Sequence, residues 1–118
     1  MNRDSVLDLC LSLPEAVEDY PFGDDVAVFK ISGKMFALVP LIGESGSVTL
    51  KCDPVRAIEL RAIHQAVRPG YHTNKRHWNT VDLDGTIADD DLSAMITHSY
   101  ELVIKGLPRI ERNRLFGA

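Results

Sequence analysis

The chain has 118 residues, 45% of them apolar and 25% charged, a composition that fits one globular domain able to form a core without disulfides or metal. Its formal net charge of −4 argues against a protein coated in nucleic acid, although a local basic face can coexist with an acidic total. No apolar run approaches the roughly 18 residues of a membrane span. No cleavage pattern follows the opening apolar segment, which Asp8 interrupts. A cytoplasmic location without a membrane partner is the expectation. Cys10 and Cys52 lie far apart in apolar surroundings and read as buried thiols of a reducing compartment.

In chain order, Ser5 to Leu13 predicts a short helix, with Val6, Cys10 and Leu13 at helical spacing and Asp4 as its N-cap. Pro14 ends it, because the residue before a proline is pushed out of helical geometry. Glu15 to Asp19 is acidic and irregular, and Tyr20-Pro-Phe-Gly23 follows as an aromatic turn. Val26–Ile31 and Lys34–Val39, joined by Ser32-Gly33, predict a β-hairpin. One face carries Ala27, Phe29 and Ile31, the other Val28 and Lys30, and the nearly continuous apolar run predicts a central strand covered in part on both faces. Gly43 to Ser47 is a loop without the Lys-Ser/Thr ending of a phosphate loop. Val48 to Cys52 alternates like a half-buried strand with Val48, Leu50 and Cys52 inward.

Asp53-Pro54 predicts a helix start that runs to about His64, with Val55, Ile58, Ala62 and Ile63 inward and Arg56 outward. A strand is expected from Trp78 to Leu83, then a turn at Asp84-Gly85 with Ile87 as an anchor. Asp89-Asp90-Asp91 reads as the cap of the longest helix rather than a metal site, since consecutive side chains do not converge. Leu92, Met95, Ile96, Ser99, Tyr100, Val103 and Leu107 give that helix its buried stripe, and Pro108 ends it. The tail from Arg109 is mixed and basic, with Leu115 and Phe116 as contacts. No repeat or second domain is visible, so residues 1–118 form one unit.

The most distinctive stretch is Arg68 to Thr80. It holds the only tryptophan, and no carboxylate lies between Glu59 and Asp82. That window contains Arg61, Arg68, Lys75 and Arg76, a formal charge of +4. Arg68, Lys75 and Arg76 are candidates for phosphate contacts, Asn74 and Asn79 for hydrogen bonds, and Tyr71 and Trp78 for stacking. Plain structure competes with this reading, with Trp78 as a core anchor and Lys75-Arg76 as a solvated bend. His72 and His77, with Tyr20 and Phe22, are candidate pocket residues, but no partner that would orient a general base can be named. No serine sits in a nucleophile elbow. Cys52, His72 and His77 lack a zinc spacing, and Glu15, Glu18, Asp19, Asp24 and Asp25 read as a solvated face. No catalytic residue, metal or cofactor is therefore assigned.

Tyr20-Pro-Phe-Gly23, Val28-Phe-Lys30, Gly33-Lys-Met-Phe-Ala37, Leu50-Lys-Cys-Asp-Pro54, Pro69-Gly-Tyr-His72, Asn74-Lys-Arg-His-Trp-Asn-Thr80 and His98-Ser-Tyr100 occur together and in order. In these motifs the chain resembles the MmcQ/YjbR family of small bacterial proteins, nearly end to end. The resemblance implies an α+β, CyaY-like or secretion-chaperone-like fold: an antiparallel sheet with helices packed mainly on one side. It also implies the DNA-binding role often attached to the family, with wings at Ser32-Gly33 and around Asn74 to Trp78. The first functional expectation is a non-enzymatic protein that binds DNA weakly through residues 68–79. The alternative is a protein- or peptide-binding adaptor that uses a sheet edge or a groove near Tyr20 and Phe22. A small-ligand or enzymatic pocket around His72, His77 and Trp78 ranks third.

Overall fold

A computed structural model describes residues 1–117. Ten elements run in the order α1 (Arg3–Ser12), β1 (Val17–Asp19), β2 (Val26–Ile31), β3 (Lys34–Pro40), β4 (Ser47–Lys51), α2 (Pro54–Ile63), β5 (Val67–Pro69), β6 (Trp78–Asp82), α3 (Asp89–Lys105) and α4 (Arg109–Phe116). The strands form one sheet in the order β1-β2-β3-β4-β6-β5, with every pair antiparallel. The expected α+β architecture is present.

Register assigns the two faces. Ala27 pairs with Val39, Phe29 with Ala37, Ala37 with Leu50, Val48 with Val81 and Val81 with Val67. All of these side chains are buried beneath α1, α2 and α3 in one core cluster. Burying each large one contributes about 1.5–3 kcal/mol. A bulge between Phe29 and Lys30 makes room for Phe36, whose ring meets Tyr100 edge-on at 5.4 Å. The buried Ser99 hydroxyl donates to the Phe36 carbonyl at 2.6 Å and accepts from the Lys51 amide at 2.9 Å. One helical serine thus ties α3 to β3 and β4 where ladder bonding is interrupted.

Several local expectations are corrected. The cap of α1 is Asn2, not Asp4, in a reciprocal capping box with Ser5. The segment read as irregular contains β1, and the basic stretch begins with β5. The cap of α3 is Ala88, and the three aspartates fill its first turn, where they complement the helix dipole. In α2, Ala57 and Leu60 point inward, whereas Val55, Ile58, Ala62 and Ile63 are exposed. Arg61 fixes that rotation by donating through Nε to Asn79 at 2.7 Å. Beyond α3 the basic tail is helical, and its Glu111 accepts from the Ser32 hydroxyl and from Arg114. Among the described residues no helix is long and apolar enough to cross a membrane.

Candidate functional site

Among the described residues, the opposite face of the sheet carries no helix. The same register sends Val26, Val28 and Lys30 of β2, Met35, Leu38 and Pro40 of β3, and Thr49 of β4 to this side. Between two loops that rise above it, these strands floor a groove of about 480 Å³ lined by Phe22, Val26, Met35, Leu38, Tyr71 and His72, among others. That volume is within the usual range for ligand clefts. The lining is almost wholly apolar apart from Asp25, Thr49, His72 and Thr73.

One wall is the turn Tyr20-Pro21-Phe22-Gly23, closed by the Gly23 amide donating to the Tyr20 carbonyl at 3.3 Å. Proline presets the turn, and Gly23, at φ 102°, takes a backbone conformation that side chains resist. Phe22 is left 64% exposed. Tyr20 does not line the groove. Its hydroxyl donates to Glu18 at 2.9 Å, and that bond to a carboxylate raises the phenol above its ordinary pKa. Lys30 donates to Asp19 at 2.8 Å and holds that carboxyl below its usual range.

The other wall is Tyr71-His72-Thr73. The Tyr71 amide donates to the Thr80 hydroxyl at 3.1 Å, and Thr80 shares a 2.8 Å hydrogen bond with Thr49, which seats the loop on the sheet. Gly70 permits this seating: a Cβ there would lie 2.2 Å from the Thr73 hydroxyl and 2.8 Å from the Trp78 Cβ. His72 adopts φ 57°, uncommon for a non-glycine residue, and its ring lies 3.9 Å from that of Tyr71. Tyr71 is 67% exposed. The Thr73 hydroxyl is buried with no hydrogen-bond partner among the described residues.

The basic stretch supplies fewer free groups than its sequence promises. Arg68 forms a two-pronged pair with Asp82 at 3.0 and 3.3 Å, and the pairing raises its pKa. Lys75 Nζ donates to the Gly70 carbonyl at 3.0 Å. Arg61 donates to the Lys75 carbonyl and to Asn79, so it serves the interior. Asn74 accepts from the Arg76 amide at 2.9 Å and shapes the turn. Only Arg76 of these four cations has no side-chain hydrogen bond or ion pair among the described residues.

Two candidate contacts are not at the surface. Asn79 is 3% exposed and donates to the Ala57 carbonyl at 3.3 Å. Trp78 is 9% exposed, so its indole offers no open stacking plane. Both are corrected to structural roles: the alternation of β6 turns Asn79 under α2, and packing covers Trp78. His77 lies outside the groove, and its carbonyl accepts from Cys52 at 2.8 Å. The structure therefore brings together Phe22, Tyr71 and His72 but not Tyr20 or His77. The floor residues Val26, Met35, Leu38 and Pro40 were missed as a site, although their apolar character on the second face of the hairpin was the available signal.

Among the described residues, no cluster of three or more His, Cys, Asp or Glu side chains could hold a metal ion. Burial raises the Cys10 thiol to about 12 and also raises that of Cys52, so neither is poised as a nucleophile at neutral pH.

Known proteins share this architecture. The YjbR family model matches residues 11–102. The chain is 36% identical over 107 residues to "Uncharacterized protein YbdF" of Escherichia coli O157:H7, covering 91% of this chain and 88% of that one. It is 32% identical over 115 residues to "Uncharacterized protein YjbR" of Escherichia coli K12, covering 98% of each. The crystal structure of Deinococcus radiodurans protein DR2400, a DUF419 domain, matches with a TM-score of 0.91 at 40% identity over 97% of this chain and 87% of that one. A Pseudomonas syringae protein matches with a TM-score of 0.75 at 29% identity over 86% of this chain and 98% of that one. By this family match and these near-full-length likenesses, the chain belongs to the YjbR family.

Proposed function

We propose that this protein is a non-enzymatic binding domain whose ligand, an extended peptide segment of another protein, lies in the groove on the helix-free face. The observation that carries the reading is the pair of exposed aromatics, Phe22 and Tyr71, held over an apolar floor by loops whose backbones are fixed. Exposed apolar area gathered in one concavity is a feature of interaction sites, whereas scattered exposed residues are ordinary. Groove binding fits better than strand addition. The edge strands are only three residues each, one with two carboxylates and the other with a proline, and such edges resist pairing.

A peptide library displayed on phage, selected on the wild type and counter-selected on Phe22→Ser/Tyr71→Ser, tests the reading. Enriched sequences should carry apolar anchors and lose most of their affinity for the double variant. Enrichment that ignores the double variant would contradict it.

Nucleic acid is the weaker reading, because Arg68 and Lys75 are already engaged within the fold. The double reversal Lys75→Glu/Arg76→Glu should leave duplex affinity, measured by fluorescence anisotropy at low salt, weaker than about 10⁻⁴ M in both proteins. Tighter wild-type binding that the reversal abolishes would restore the DNA reading.

A further inference from the structure

The groove's charge and length point to a narrower class of ligand, an inference that rests on the groove reading above. Asp25 is the one carboxylate in the lining, which holds no lysine or arginine, and Asp24 adjoins it. Among the described residues, neither carboxylate takes part in a side-chain hydrogen bond or an ion pair. On the same face Lys30 is held by Asp19, and Lys51 lies beyond the lining. The Phe22 end of the groove is therefore uncompensated and negative, beside an apolar floor.

The floor crosses β2, β3 and β4, and the far wall stands over β6 through the Tyr71–Thr80 bond. Three interstrand steps of about 4.8 Å give a span of about 14 Å. An extended chain advances roughly 3.3–3.6 Å per residue, so about four residues fill that span. Alternate side chains would point to the floor.

We infer that the groove takes an extended segment of about four residues, with two apolar side chains at alternate positions and a lysine or arginine beside them that faces Asp25. The apolar anchors supply most of the affinity, and the cation sets selectivity and orientation.

The test uses three pentapeptides, acetyl-Lys-Phe-Ser-Leu-Lys-amide and its counterparts with both lysines replaced by glutamine or by glutamate. Each is titrated into ¹⁵N-labelled protein at low and high salt. The lysine at both ends makes the comparison independent of chain direction. The basic peptide should shift the groove amides and bind about two- to fivefold tighter than the glutamine peptide at low salt, the range for one exposed ion pair. Asp25→Asn, whose side chain has no bond to lose in the fold, should bring the two peptides to equal affinity, as should high salt. Equal binding of the basic and glutamine peptides to the wild type, or tighter binding of the acidic one, would overturn this inference and leave the groove reading standing. If no peptide shifts the groove amides, the groove reading itself fails. Shifts of the same amides with protein concentration alone would give the groove to a second copy of the chain and overturn the inference.

Discussion

The two faces of the sheet are built from the same alternating strands, yet they have different fates. On the covered face Ala27, Phe29, Ala37, Val39, Val48 and Val81 vanish beneath three helices. On the other face Val28 and Thr49 are buried too, but Val26, Leu38 and Pro40 are only half-buried, and among the described residues no helix covers them. Alternation along a strand decides which residues share a side, but not what covers that side. The open face retains apolar character and is walled by loops with restrained backbones. That combination separates a binding surface from a poorly finished core.

Substitutions should break the comparison unequally. The largest effect is expected at Phe36, buried between Phe29 and Tyr100 on the covered side. Phe36→Ala should cost about 3–5 kcal/mol in urea unfolding. Asn79→Ala comes next, at about 1–3 kcal/mol, because it leaves Arg61 Nε and the Ala57 carbonyl without their partner. On the open face, Phe22→Ser/Tyr71→Ser should change stability by no more than about 0.5 kcal/mol for each substitution while it removes peptide binding. A large destabilisation there would make the aromatics structural and erase the contrast.

The smallest effect concerns the last helix. Arg114 and Ser32 hold the Glu111 carboxyl at about 2, below its ordinary value of 4.5. A depressed carboxylate adds stability above its unfolded pKa and loses it as pH falls. Docking of α4 onto the β2–β3 turn should therefore weaken as pH falls from about 4.5 toward about 2, seen as a drift of the α4 amides that Glu111→Gln removes.

Much of the covered face was legible in the sequence. The hairpin at Ser32-Gly33, the Asp53-Pro54 helix start and the Leu92–Leu107 stripe each follow from local periodicity or capping chemistry. Strands β1 and β5, at three residues each, are too short to show a period. The rotation of α2 is set by the Arg61–Asn79 bond between residues 18 apart, which no helical pattern encodes, and so Val55 and Ile58 were assigned inward. The basic stretch misled for a related reason. Its charges are plain in the sequence, but the partners that occupy them, Asp82 and the Gly70 carbonyl, appear only after folding. The groove was visible in pieces, at Phe22 and at Tyr71-His72. Its floor required the register that brings those pieces to one side of the sheet.

The most direct measurement is fluorescence of Nile red, a neutral apolar dye, with three proteins: the wild type, Phe22→Ser/Tyr71→Ser, and Val55→Ser/Ile58→Ser on the exposed face of α2. Emission should be blue-shifted and enhanced with the wild type and the α2 variant, and this enhancement should be lost with the groove variant. Emission that survives in the groove variant, or disappears in the α2 variant, would move the binding surface away from the open face of the sheet.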